Sequence, residues 1–240
     1  FTAQVDFSTG GELLHFIDDQ QIAMMEALSA PQGYMDGRFL ALTFNMLRGK
    51  DLIWSTVVKN YLLGEDYPAF DLLHWNGDVT NLPAKWHRNY VIDLYRDNRL
   101  VKPNDLSALG TPIDLRRVKT ATYIQAGRED HIAPAESVWK LQDHFTGPMK
   151  FVLAGSGHIA GVVNPPAQMK YQYWTNDAAA PSLEAFIEGA TETKGSWWPD
   201  WIAWLKDKGN TRVPATGGRQ PGQGTLKALE SAPGSYVKAR

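Results

Sequence analysis

The 240-residue chain contains no cysteine, so disulfides and thiolate metal sites are excluded within these residues. It has no apolar run that approaches the roughly 18 residues of a membrane span. Neither charge dominates, because 24 basic and 26 acidic residues give a net charge of −2, which does not favour nucleic-acid binding. The first ten residues lack the basic and apolar regions of a signal peptide. These features predict a soluble cytoplasmic protein.

Several catalytic motifs are absent as well. The sequence has no Gly-x-Ser-x-Gly or Gly-x-Cys-x-Gly string, and therefore no recognisable nucleophile elbow. Its six histidines show no zinc-ligand spacing, and there is no Walker A or dinucleotide-binding glycine motif. We therefore expect no metal site and no bound cofactor. Ser156 is a poor nucleophile candidate, because it shares a loop with His158 and an elbow serine needs a strand-to-helix turn of its own.

Hydrophobic periodicity divides the chain into four parts. Residues 1–8 alternate between apolar and polar side chains and are predicted to form a core strand. Because that strand begins at residue 1 without a preceding turn, we expect the chain to be cut from something longer. Residues 9–118 show mostly helical spacing, with a short hairpin around "GTPIDL", and are predicted to form a helical insertion. Residues 119–208 alternate strand, helix, strand, helix, which is typical of an α/β sheet. Residues 209–240 are rich in Gly, Pro and Thr and are interpreted as a surface-running tail.

An acid and a histidine follow the two predicted strands of the α/β part. Asp130 comes after "TATYIQA", and His158 comes after "KFVLA". Groups at the carboxyl ends of adjacent parallel strands meet at one sheet edge, so the pair has the order of the acid and base of a catalytic triad. Structural roles compete with this interpretation, since an Asp after a strand is often a helix cap and a His in a Gly-rich loop is often structural.

Several longer strings carry a family resemblance: "FDLLHWNGDVTNLP", "REDHIAP", "GSGHIAGVVNPP", "YWTND", "GSWWPDWIAWL" and "APGSYVKAR". The chain resembles class I polyhydroxyalkanoate synthases, which make poly(3-hydroxybutyrate), from "TAQVDF" to its last residue. The resemblance implies an α/β-hydrolase core with a helical cap. The early strands, the N-terminal domain and the nucleophile elbow of the family are lacking, so the chain resembles the C-terminal part of a synthase.

The resemblance also implies a reaction. The family nucleophile is a cysteine in a Gly-x-Cys-x-Gly box upstream of the stretch matched by "TAQVDF", while the acid corresponds to Asp130 and the base to His158. Acyl groups would pass from 3-hydroxyacyl-CoA to a growing polyester, with release of CoA. The acid acts either through the histidine or more directly on the hydroxyl. Implied partners are a second copy of the chain and granule-associated proteins, at the surface of cytoplasmic polymer granules.

Four further residues are candidates for substrate contacts. Trp75 either lines the substrate route or packs in a core. Arg48 either meets CoA phosphates or is a solvated arginine at a helix end, and the second reading is favoured. Ile159 and Asn164 belong to the matched histidine loop and are expected to shape the pocket.

Two other functions remain open at this point. One is an esterase or polyester depolymerase of α/β-hydrolase type, which a Gly-x-Ser-x-Gly box upstream would indicate. The other is a non-catalytic fragment that binds granules or a partner synthase. Because early strands would be absent, we also expect a bare, apolar sheet edge and an unstable isolated chain.

Overall fold

The computed structural model describes residues 1–47, 49–66, 75, 78–209, 211–212, 214 and 222–238. The chain divides into two compact units, Phe1–Pro199 and Asp200–Arg240. The described residues form a mixed α/β structure, as the alternation of strands and helices predicted. None of the described helices combines the length and the apolarity needed to cross a membrane.

The main sheet has four strands in the order β5–β6–β7–β8. Strands β5 and β6 are parallel, whereas β7 and β8 each run antiparallel to their neighbour, so the sheet is mixed. Two two-stranded ladders pair β1 with β2 and β3 with β4, and the second of these confirms the hairpin predicted around "GTPIDL". The strand bounds are β1 Tyr34–Met35, β2 Leu82–Pro83, β3 Ser107–Ala108, β4 Thr111–Pro112, β5 Thr122–Gly127, β6 Met149–Ala154, β7 Gln172–Thr175 and β8 Thr191–Lys194.

Helices dominate the part that precedes β5, in agreement with the periodicity of residues 9–118. The α-helices span Asp19–Ser29, Gly37–Leu47, Ala84–Asn89, Ala135–Trp139, Leu141–His144, Leu183–Glu188 and Trp198–Lys206. Wider π-helical turns occupy Lys50–Trp54, Val57–Leu62 and Tyr90–Arg96. Short 3-10 helices lie at Gly11–Phe16, Arg99–Val101, Leu115–Arg117, Pro166–Gln168 and Ser235–Lys238.

The core lies between the main sheet and two helices, Ala135–Trp139 and Leu183–Glu188. Ile124 of β5 and Leu153 of β6 are almost fully buried there, beside Phe186 of the second helix. Phe151 packs edge-on against the ring of Phe186, with ring centroids 5.0 Å apart. This packing fixes β5 and β6 side by side, and therefore fixes the places at which their following loops begin.

The strand predicted for residues 1–8 is not formed, although the segment does lie beside β5. Thr2 donates its backbone N–H to the carbonyl of Gln125 at 2.7 Å, which is a single contact rather than a ladder. Two further backbone donors of the segment bind side chains. The N–H of Phe7 donates to Asn98 Oδ1 and the N–H of Ser8 donates to Asp6 Oδ1, both at 2.9 Å. The alternating pattern was misleading because these N–H groups bind side-chain oxygens, one of them 91 positions away, instead of a neighbouring strand.

Asp6 is the centre of a polar network that ties this segment to the rest of the fold. Its carboxylate accepts hydrogen bonds from Asn98 Nδ2 at 2.9 Å and from Ser8 Oγ at 2.6 Å, and His144 Nε2 lies 3.2 Å away. Its backbone carbonyl accepts a bond from the hydroxyl of Ser137. Burial by itself raises the pKa of Asp6, but these hydrogen bonds outweigh burial and lower the pKa to about 2.

Asp6 should make the free energy of unfolding depend on pH in acid. The folded pKa of about 2 lies below the ordinary value of 3.8, so the network stabilises the fold above about pH 4 and loses this effect as the pH falls towards 2. When urea unfolding is measured at pH 5 and at pH 3, the free energy of unfolding should fall less between these two pH values for Asp6→Asn than for the wild type. Equal losses in the two proteins would contradict this role.

The second unit, Asp200–Arg240, has side-chain contacts of its own. The ammonium of Lys208 lies 5.2 Å from the centroid of the Trp204 ring, which is a cation–π distance. Near the end of the chain, Ser235 donates its backbone N–H to Glu230 Oε1 at 2.9 Å. The interpretation of residues 209–240 as a surface-running tail stays a prediction.

Candidate active site

The loop after β5 holds Asp130 in a fixed orientation. One carboxylate oxygen, Oδ1, accepts the backbone N–H groups of Ile132 and Ala133, each at 2.9 Å. The side chain is completely buried. Asp130 does not cap the next helix, whose N-cap is Pro134 without a side-chain bond. The carboxylate thus organises its own loop and still has its second oxygen, Oδ2, available.

The loop after β6 carries His158 and is joined to the acid loop by backbone hydrogen bonds. Arg128 donates its N–H to the carbonyl of Ala154 at 2.8 Å, which continues the parallel ladder by one residue. Glu129 donates to the carbonyl of Ser156 at 3.1 Å. Because β5 and β6 are parallel neighbours, both loops leave the same edge of the sheet.

His158 and Asp130 meet across these two loops. The distance from His158 Nδ1 to Asp130 Oδ2 is 2.8 Å, which is a strong hydrogen-bond distance. The carboxylate is inaccessible to solvent, whereas the imidazole is 33% exposed. A carboxylate only accepts hydrogen bonds, so this contact favours the tautomer with the proton on Nδ1, in which Nε2 is the unprotonated nitrogen of the ring. The arrangement therefore has the chemistry of a base oriented by an acid.

Two glycines permit the backbone paths of these loops. A Cβ atom on Gly127 would lie 3.0 Å from the carbonyl oxygen of Ser156 and 3.2 Å from the Cβ of Asp130. A Cβ atom on Gly161 would lie 2.6 Å from the carbonyl oxygen of Gly157. A larger residue at position 127 would force the acid loop and the histidine loop apart, and one at position 161 would open the turn within the histidine loop.

Ser156 is strained, with a backbone φ of +110°, a region that favours glycine. Replacing Ser156 by glycine should therefore raise the free energy of unfolding by about 1 kcal/mol. Ser107→Gly is a matched control, because Ser107 is an exposed residue of β3 where glycine only adds unfolded-state entropy and should lower stability. Urea unfolding of the two variants should give opposite signs. A destabilised Ser156→Gly variant would show that its φ carries no strain.

An apolar cavity of about 330 Å³ adjoins the acid loop. Ile132, whose N–H binds Asp130, lines this cavity together with residues of the helical part such as Leu40, Trp86 and Tyr90. Periodicity alone did not indicate Ile132 as a site residue, because the cavity forms only when the helices pack on the loop. The cavity has room for an apolar chain, and Ile132 is its link to the acid loop.

The structure separates the two candidates of the histidine loop. Ile159 follows His158 directly and is 38% exposed, so its side chain is available beside the imidazole. Asn164 is buried, and its amide Nδ2 donates to the carbonyl of Lys170 at 3.0 Å, which closes the end of the loop. The proposed pocket role of both residues stays a prediction, and a loop-shaping role for Asn164 is consistent with its bond.

The other two candidates are Trp75 and Arg48. Trp75 lies on the surface with 64% of its area exposed, so the core-packing alternative is not supported. Arg48 lies outside the described residues. Among the described residues, no cluster of three or more His, Asp or Glu side chains is arranged to bind a metal ion.

No protein-family model matches the chain. Individual proteins match it along its whole length. It is 49% identical to the poly(3-hydroxyalkanoate) polymerase subunit PhaC of Rhizobium meliloti, 47% identical to that of Rhizobium etli and 43% identical to that of Cupriavidus necator. The chain is homologous to the C-terminal part of these polymerases. It spans only 38%, 37% and 41% of their respective lengths.

The homology to these polymerases confirms the resemblance found in the sequence strings. An identity of 43–49% over the entire chain means that a common fold is to be expected for the aligned segment. Within this segment, a hydrogen bond joins the carboxylate of Asp130 to the imidazole of His158.

Proposed function

We propose that this chain is the part of a polyhydroxyalkanoate polymerase that supplies the acid and the base of a Cys-His-Asp triad. The observation that carries the proposal is the 2.8 Å hydrogen bond between His158 and Asp130, in a chain homologous to polymerases. The parallel pair β5–β6, with the acid after one strand and the histidine after the next, supports an α/β-hydrolase core beneath a helical cap. The cysteine belongs to a portion of the protein outside these residues.

The proposed reaction is polymerising acyl transfer from 3-hydroxyacyl-CoA. His158 Nε2 takes the proton of the cysteine thiol, and the thiolate attacks the carbonyl carbon of the thioester. The C–S bond to CoA breaks, and the proton on His158 passes to the departing CoA sulfur. A hydroxyl group then attacks the acyl-cysteine; His158 takes its proton and returns it to the cysteine sulfur. Asp130 stabilises the imidazolium in both halves through Nδ1.

Apolar surroundings suit this chemistry. The cavity beside Ile132 offers room for the acyl part of the substrate or for the growing chain. Exclusion of water by the helical part would protect an acyl-cysteine from hydrolysis, which distinguishes a polymerase from an esterase. The preferred substrate under this proposal is 3-hydroxybutyryl-CoA, the substrate class implied by the family resemblance.

The helical part also supports association with an apolar partner. Several large apolar side chains of the segment between residues 37 and 63 are exposed, among them Tyr61 at 83% and Leu62 at 66%. Exposed apolar surface of this kind is typical of interfaces. We propose that it meets a second copy of the protein or the polymer at a granule surface, as the family resemblance implies.

The isolated 240-residue chain should have no turnover. Because it contains no cysteine, the nucleophile of the proposed reaction is absent from it, so CoA release from 3-hydroxybutyryl-CoA should stay at the background rate. A thiol reagent that detects free CoA gives the measurement, and the complete polymerase gives the positive control. Clear turnover by the purified chain would refute the assignment of the nucleophile to another part of the protein.

A further inference from the structure

Two consecutive tryptophans bind the loop that carries His158. The indole N–H of Trp197 donates to the carbonyl of Gly161 at 2.8 Å, and the indole N–H of Trp198 donates to the carbonyl of Val162 at 2.9 Å. The two acceptors are adjacent in the chain, three and four residues after His158. Side chains 36 positions away therefore hold the far end of the histidine loop.

The near end of this loop is held independently. The carbonyl of Ser156 accepts the N–H of Glu129 at 3.1 Å, which ties the loop to the acid loop. Between the two ends, Gly161 donates its N–H to the carbonyl of Gly157 at 2.8 Å and closes a turn that contains His158. The backbone of His158 is thus fixed between the acid loop on one side and the two indoles on the other.

The indoles are themselves held in place. Trp197 is only 1% exposed, and its ring lies 6.0 Å from the ring of Tyr123 on β5 and 4.7 Å from that of Phe1. The backbone N–H of Trp198 binds Ser196 Oγ at 3.1 Å. Since β5 also begins the acid loop, Trp197 connects the histidine loop back to the strand that positions Asp130.

We propose that Trp197 and Trp198 are positioning residues, whose indole N–H groups keep His158 Nδ1 at hydrogen-bonding distance from Asp130. Loss of either indole N–H leaves a loop carbonyl without its donor. The loop then shifts so that this carbonyl can accept a hydrogen bond from another donor. A displacement of about 1 Å at a catalytic group can cost about 100-fold in rate. The expected loss of rate rests on the proposed function, whereas the expected change in the His158–Asp130 hydrogen bond does not.

The test combines kinetics and NMR of the complete polymerase. Trp198→Phe removes the N–H and keeps an aromatic ring, and incorporation of benzothienylalanine at the same position replaces the N–H by sulfur with little change of shape. We expect kcat for CoA release to fall about 10- to 100-fold with KM unchanged within about twofold. The downfield resonance of the His158 Nδ1 proton should broaden or disappear. Trp197→Phe should act in the same direction.

Trp139→Phe is the matched control, because the ring of Trp139 packs on Phe151 and Phe186 in the core. It should lower stability while leaving the Nδ1 resonance and kcat nearly unchanged. If both Trp198 substitutions keep the resonance and kcat within twofold of wild type while His158→Ala is inactive, the positioning role is wrong and the proposed function stands. If His158→Ala is fully active but the resonance still responds to Trp198, the proposed function fails and the positioning role stands.

Discussion

Substitution of His158 by alanine should abolish polymer formation in the complete polymerase. The imidazole is the only group of the described pair that can accept a proton from the nucleophile, because Asp130 is buried and its oxygens are engaged by His158, Ile132 and Ala133. We expect CoA release to fall by at least about 10⁴-fold, the scale found when a triad histidine is removed. The rate of CoA release from 3-hydroxybutyryl-CoA measures the effect.

His15→Ala is the control for this experiment, since His15 is an exposed residue of the helical part. It should retain the wild-type rate. Circular dichroism should show that His158→Ala keeps its secondary structure, because a 33% exposed imidazole contributes little to the core. A His158→Ala polymerase that retains more than a few per cent of the wild-type rate would contradict the role of His158 as the base.

Substitution of Asp130 by asparagine should lower the rate of CoA release by about 10²- to 10⁴-fold. The amide oxygen of Asn can still accept the N–H groups of Ile132 and Ala133, so the acid loop should keep its shape. The amide nitrogen then faces His158 Nδ1 and favours the wrong tautomer of the imidazole. The variant thus tests the charge and the tautomer rather than the fold.

A double variant makes the test of Asp130 sharper. If Asp130 acts through His158, adding Asp130→Asn to His158→Ala should cause no further loss, because residues that act as a unit are not additive. A further large loss in the double variant would instead indicate a direct role of the carboxylate on the hydroxyl. A near-normal rate for Asp130→Asn alone would remove Asp130 from the mechanism.

Local sequence patterns predicted strands β5 and β6, which position the candidate site. They did not predict β8, and they predicted a strand over residues 1–8 that is not formed. Strands β5 and β6 are short β-branched and aromatic runs bounded by small residues, so their periodicity was readable. Strand β8, Thr191–Lys194, is exposed at all four positions, and so carries no alternation that a sequence can reveal. The alternation of residues 1–8 was clear, but the N–H of Phe7 donates to the distant side-chain oxygen Asn98 Oδ1 instead of to a neighbouring strand.

The candidate site was likewise only partly predictable. The positions of Asp130 and His158 after adjacent strands anticipated their hydrogen bond, because parallel topology brings strand ends together. Sequence reasoning missed the roles of Ile132, Trp197 and Trp198. Ile132 lines a cavity formed by distant helices, and the indole bonds join segments 36 residues apart. The Trp-Trp pair is a local signal for buried aromatic rings, but it does not indicate which loop the two indoles bind.

The most direct test of the account is the reactivity of the cysteine that we propose as the nucleophile of the complete polymerase. Alkylation by iodoacetamide, followed by mass spectrometry across a range of pH, reports how much of that cysteine is thiolate. If the histidine held by the buried carboxylate withdraws the thiol proton, His158→Ala should slow alkylation at neutral pH and give the profile of an ordinary thiol, with a pKa of about 8.5. Identical alkylation profiles for the wild type and His158→Ala would contradict the account.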